Sequence, residues 1–237
     1  MIVVDGGDSG ARRHLIVAVT DGQLVQSAYG PVTIRHHAAG DLVVTSGSIV
    51  ACDPTSIQDG PQPFVTRVEP GRYPVIIGIA HLPNGDERVA FAMLRSGEQD
   101  PVRWEIARRL EDETVDDYYY SVDGGKSCFM DVDALHVLLR RLEGEEIDDE
   151  PIYAEMDIGP GPLELISEAV NAAYRPTWGW ANVSLEPATA ANIVGFSSGF
   201  GDGAYATYLG YNAIGTLVCF ATDFALFNEE LELDDNG

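Results

Sequence analysis

Four aspartates, Asp123, Asp131, Asp202 and Asp223, fall where an apolar run meets a turn or loop. Two glycine-bearing segments carry three of them: Asp123-Gly-Gly-Lys-Ser-Cys-Phe-Met-Asp131 and Ser198-Gly-Phe-Gly-Asp-Gly203, the second followed closely by Tyr205. If these segments meet in space, Asp123, Gly125, Asp131, Ser198, Gly201, Asp202, Gly203 and Tyr205 line one cleft. Such a cleft offers oxygen ligands to Ca²⁺ or Mg²⁺, with Asp131 and Asp202 as the metal-binding pair. It also offers two carboxylates whose surroundings could divide them into an acid and a base. Glycines at alternate positions, Gly199, Gly201 and Gly203, let successive N–H groups converge on an anion. The structural counter-reading is that the same residues cap turns and need no ligand. On that reading the chain requires no cofactor.

Other chemistry-bearing patterns are weaker. Gly124-Gly-Lys-Ser127 resembles the end of a phosphate loop, but the pattern needs a glycine where Tyr120 stands. Gly195-Phe-Ser-Ser-Gly199 matches a serine nucleophile elbow, yet a glycine loop and a strand follow it instead of a helix. Cys128 and His136 would have to meet as nucleophile and base. The apolar Cys-Phe-Met context places Cys128 in a core instead. His36 and His37 are adjacent, so on a strand they point to opposite faces and do not ligate together. Cys52, Cys128 and Cys219 are odd in number and widely spaced, which argues against a disulfide framework or a structural zinc site.

These residues need elements to position them. Val194 to Phe224 reads as strand, glycine loop, strand, turn and strand, a meander with Tyr211–Gly215 as its hairpin. Leu42–Cys52 reads as two strands about a Ser-Gly turn, closed by Asp53-Pro54. Val75–His81 and Arg88–Leu94 flank a Pro-Asn-Gly-Asp turn, and Tyr118–Val122 reads as a strand. Asp131 or Asp133 caps a helix whose apolar face is Leu135, Leu138, Leu139 and Leu142, with Arg140 and Arg141 in its last turn and Gly144 at its end. A second helix spans 162–174, and Trp178–Leu185 returns to strand. Near the start, Asp21-Gly22 between His14–Thr20 and Gln23–Tyr29 predicts a hairpin. Asp5-Gly-Gly-Asp-Ser-Gly10 is similar to the phosphate-binding opening of the sugar kinase and actin superfamily, but no second phosphate loop accompanies it.

The chain has 237 residues, 45% of them hydrophobic, and a net charge of −24. That content suits a globular core. The charge disfavours nucleic acid and anionic membranes and favours a basic protein partner. No run approaches the roughly 20 apolar residues of a membrane span, and no basic leader is present, so a cytoplasmic location is expected.

Several segments in order also carry a family resemblance. They are 42–54 (Leu-Val-Val-Thr-Ser-Gly-Ser-Ile-Val-Ala-Cys-Asp-Pro), 68–75 (Val-Glu-Pro-Gly-Arg-Tyr-Pro-Val), 87–92 (Glu-Arg-Val-Ala-Phe-Ala), 104–107 (Trp-Glu-Ile-Ala), 122–131, 198–205 and 222–224. The chain resembles the bacterial domain of unknown function 4241 family. Family members tend to carry Asp-Ala-Gly-Thr-Gly where Asp123-Gly-Gly-Lys-Ser127 stands, and proline where Ala206 stands. The resemblance implies no activity.

The expected fold is α+β and mostly antiparallel β-sheet, sandwich or barrel-like, with about ten strands and two helices. It forms one domain: an N-terminal hairpin region (1–41), the family-like region (42–224) and an acidic tail (225–237). The function expected first is binding of a basic protein, in its sharpest form as an immunity-like inhibitor. The alternative is a metal-assisted hydrolase or small-ligand enzyme built on the aspartate loops.

Overall fold

The computed structural model describes residues 15, 18–27, 29–57, 60–145, 162–173, 175, 177–186 and 188–227. The Asp5–Gly10 opening, residues 146–161 and most of the acidic tail lie outside these residues. The described chain is α+β, with twelve strands in two antiparallel sheets and two helices.

The larger, curled sheet runs in the order β1 (Leu24–Ser27), β2 (Gly30–Val44), β4 (Gly71–His81), β5 (Glu87–Arg95), β12 (Leu217–Asp223), β11 (Gly203–Tyr211) and β6 (Arg103–Ile106). A further strand, β7 (Tyr119–Val122), pairs with the start of β11, so β6 and β7 share that edge. The smaller sheet runs β3 (Ile49–Cys52), β8 (Lys126–Asp131), β10 (Ala191–Ser197) and β9 (Trp180–Glu186).

Three apolar layers hold these sheets in place. Ile77, Val89, Leu94 and Phe220 from the large sheet meet Ile49, Phe129, Val194 and Phe196 from the small one. The far face of the large sheet is covered by Leu15, Ala18, Leu226 and Phe227. The far face of the small sheet is covered by α1 (Val132–Glu145) and α2 (Pro162–Ala172) through Leu135, Leu138 and Ile166. The interiors of β5 and β12 are buried on both faces. That is why Val89–Leu94 and Val218–Ala221 read as nearly unbroken apolar runs.

Four expectations change. The stretch Val194–Phe224 is not one meander, because β10 belongs to the small sheet and β11 to the large one. The Ser198–Asp202 loop carries the chain across the core between them. Thr45–Gly47 makes the same kind of crossing from β2 to β3. The Asp21-Gly22 turn does not join paired strands: Leu15 and Ala18 before it are helical, and β1 after it pairs with β2. Helix α1 runs through Gly144 to Glu145 and has no basic residue in its last turn.

Candidate functional site

The turn that carries Asp123 and the loop that carries Asp202 meet through Gly125. The 123–125 turn between β7 and β8 meets the 198–202 loop between β10 and β11. The Gly125 N–H donates to Asp202 Oδ1 at 3.0 Å, and the Ser198 N–H donates to the Gly125 carbonyl at 3.2 Å. Gly125 has φ +60°, the left-handed region that favours glycine, and the loop backbone at Gly201 passes close to it.

Asp53, which sequence reasoning treated only as the end of a strand, anchors this junction. Its side chain is 1% exposed. Oδ2 accepts the N–H groups of Asp123 and Gly124, both at 2.9 Å. Oδ1 accepts the Thr55 N–H at 2.7 Å and the Thr55 hydroxyl at 2.6 Å. The Asp-x-Thr spacing of an Asx turn was the available signal for this residue. Its long-range partners, some 70 positions on, left no such local mark.

Three donors that an anion nest in the glycine loop would draw on are engaged within the fold: Gly199 N–H on the Val89 carbonyl, Gly201 N–H on the Ser198 carbonyl, and Ser198 N–H on the Gly125 carbonyl. The Ser198 hydroxyl and the Tyr205 phenol both donate to the Gly201 carbonyl, at 2.9 and 2.8 Å. Burial, reinforced by the Asp202 carboxylate, pushes the Tyr205 phenol above its ordinary range. Gly203 opens β11 opposite Val122.

Asp131 lies elsewhere. It closes β8, roughly 20 Å of extended chain from the Gly125–Asp202 contact, so the two do not share a cation. Asp131 caps α1 through the Asp133 N–H at 2.9 Å, and it accepts from the Thr45 hydroxyl and from the Ser46 N–H and hydroxyl. It thereby fixes the Thr45–Gly47 crossing to the helix start. Replacing Asp131 with alanine is expected to cost about 2–4 kcal/mol, read as a lower urea midpoint with unchanged slope. Among the described residues, no group of three or more His, Cys, Asp or Glu side chains is gathered for a metal.

The remaining motifs are also placed. The Ser197 hydroxyl is bonded to the Gly179 N–H at 2.9 Å and is followed by the glycine loop. Cys128 is buried under α1, while His136 is exposed on the helix exterior, so the two do not pair. Burial pushes the Cys128 thiol well above its usual range. His37 packs edge-on against Trp178 and Trp180 within the inter-sheet layer.

Beside the Asp53–Asp123 junction opens a cleft of about 420 Å³ between β7 and the loop after β3. Cys52, Asp53, Gln62, Arg109, Glu111 and Tyr119 are among its walls. Arg109 is bound to the buried Asp112, with Nε 3.0 Å from Oδ1, and donates to the Tyr119 carbonyl at 3.1 Å. Its charge is therefore offset within the wall. Next to these walls, Leu110, between Arg109 and Glu111, is 84% exposed, Val65, whose N–H donates to the Arg108 carbonyl, is 58% exposed, and Tyr119 is exposed as well. Glu111 and Asp123, which line the cleft, and Glu113 and Asp117, close to Glu111 in the chain, are also exposed. Arg108, stacked over Tyr118, is the nearby cation.

A family model described as "Protein of unknown function (DUF4241)" matches residues 42–222. The chain belongs to the DUF4241 family. The matched region of this DUF4241 protein runs from the end of β2 to β12, and so contains both loops of the junction and the cleft beside it. No curated protein and no solved structure matches the chain. No described helix of this DUF4241 chain is long and apolar enough to cross a membrane.

Proposed function

We propose that this DUF4241 protein is a cytoplasmic interaction protein whose cleft rim beside Asp53 and Asp123 binds a basic protein. The observation that carries the reading is the exposure of Leu110 and Val65 next to a cleft whose walls include the exposed carboxylates Glu111 and Asp123. Exposed apolar side chains rimmed by charge mark interaction sites, because the apolar centre supplies affinity and the rim supplies steering. The chain's −24 charge extends the same field over the whole molecule and opposes nucleic acid as a partner. Inhibition of a basic toxin or nuclease, in the manner of an immunity protein, is the sharpest form of this role.

The test is capture from host lysate by the tagged protein, followed by titration of the retained protein with variants. Leu110→Asp and Glu111→Lys are each expected to weaken binding about tenfold or more. Glu98→Lys, at the turn after β5 and away from this rim, should leave it within about twofold. Wild-type affinity should fall steeply between about 0.05 M and about 0.5 M salt. A partner indifferent to Leu110 and Glu111, or binding that survives high salt, overturns the proposal.

A further inference from the structure

Cys52 and Cys128 are directly opposite each other in the ladder between β3 and β8. Their sulfurs are 3.7 Å apart, and both are free thiols. The neighbouring bond from the Val132 N–H to the Ser48 carbonyl sets the alternation of this ladder, and it places Cys52 and Cys128 in a hydrogen-bonded pair. Such pairs hold their Cα atoms about 5.5 Å apart, which lies within the range a disulfide spans. The Cys128 thiol donates to the Cys52 carbonyl at 3.3 Å, so both side chains already lie on the same side of the sheet. Both thiols are buried, but Cys52 is among the residues lining the cleft beside Asp53 and Cys128 is not, so Cys52 is the member of the pair that stands at that opening.

We propose that Cys52 and Cys128 form a reversible cross-strand disulfide, written by peroxide-class oxidants that enter through the cleft. In the first step the Cys52 sulfur attacks hydrogen peroxide, forming a sulfenic acid and releasing one water. In the second step the Cys128 sulfur attacks the Cys52 sulfur. The S–S bond forms, the S–O bond breaks, and a second water leaves with the Cys128 proton. Two thiols are oxidised by two electrons, and one peroxide is reduced to two waters. A dithiol reductant reverses the bond by exchange. Burial keeps Cys128 protonated, so the second step is slow in solution terms and depends on the short sulfur–sulfur distance. Cys219 takes no part, because it is buried on the far side of the large sheet among Gly210, Trp104 and Arg95.

The bond would tie the edge strand β3 to β8 one residue before Asp53, and so would fix the cleft wall in place. The experiment treats the reduced, folded protein with hydrogen peroxide, denatures it in excess N-ethylmaleimide, and maps the peptides by mass spectrometry. The expected product lacks two hydrogens, retains one alkylatable thiol at Cys219, and yields a Cys52–Cys128 linked peptide that dithiothreitol removes. Cys52→Ser and Cys128→Ser should each abolish the linked peptide, while Cys219→Ser should leave it intact. Both thiols remaining alkylatable after treatment would overturn the proposal. So would a link through Cys219 or a stop at sulfinic acid.

Discussion

Asp53→Ala is expected to lower the stability of the fold by about 3–5 kcal/mol. The carboxylate is almost fully enclosed and receives four hydrogen bonds from Thr55, Asp123 and Gly124. Removing it leaves two N–H groups of the 123–125 turn without their acceptor, each at a cost of about 1–3 kcal/mol. Little else can move in to help. A Cβ at Gly124 would already stand 2.8 Å from the Thr55 hydroxyl oxygen, so the turn is pressed against the Asp53 loop. Asp202→Ala removes one bond at an exposed side chain and should cost below about 1 kcal/mol. Urea denaturation of the two variants side by side decides the matter. Comparable losses would mean that Asp53 is not the anchor of the junction.

The second large effect belongs to Asp223 and should appear as a dependence on pH. Asp223 closes β12 with its side chain buried, and its Oδ2 has no hydrogen-bond partner. Burial pushes its pKa up to about 7, partly countered by the Ala225 N–H on Oδ1. A raised carboxyl pKa means that the folded state holds its proton where the unfolded chain has lost it. The acid therefore costs nothing below about pH 4, costs progressively more as pH rises from about 4 to about 7, and costs a constant amount above that. The full difference corresponds to at most about 4 kcal/mol. Asp223→Asn keeps the acceptor for Ala225 and cannot ionise. It should be more stable than wild type at pH 8 by about 2–3 kcal/mol, or about 4–10 °C in Tm, with the advantage shrinking as pH falls toward 4. Every other carboxylate is common to both proteins, so the difference between the two melting curves isolates this group. A difference that stays flat with pH would show that Asp223 ionises in the fold without penalty.

How much of this was legible beforehand differs by residue. The strands around Val75–His81 and Arg88–Leu94 were readable because an Asn-Gly turn joins two apolar runs that do pair with each other. Helix α1 was readable because Leu135 and Leu138 follow its period and Asp131 caps it. The Asp123 and Asp202 loops stood out by their glycines and aspartates, but whether they meet was not legible in the sequence. What escaped was sheet membership. Period-two alternation looks the same whether the next strand pairs in plane or crosses the core, so the 198–202 loop read as a hairpin turn. Asp53 and the Cys52–Cys128 pair escaped for a related reason: their partners lie more than 65 positions away, and only the assembled ladder brings them adjacent. Leu110 and Val65 could not be flagged either, since exposure is a property of the assembled surface.

The placement of β12 beside β5 has a consequence for how the protein is made. Phe91 pairs with Asp223 and Leu94 with Phe220, contacts between residues more than 120 positions apart. During synthesis, β2, β4 and β5 emerge together and can pair at once. Until residues 217–223 have left the ribosome, β5 is therefore a long apolar strand with one open edge. Such an edge is the kind that recruits other nascent chains. The high proportion of distant pairings also predicts slow closure of the large sheet relative to its N-terminal hairpins. For this chain the vulnerable interval is set by translation of the segment between β5 and β12, and crowding among growing chains is most costly there.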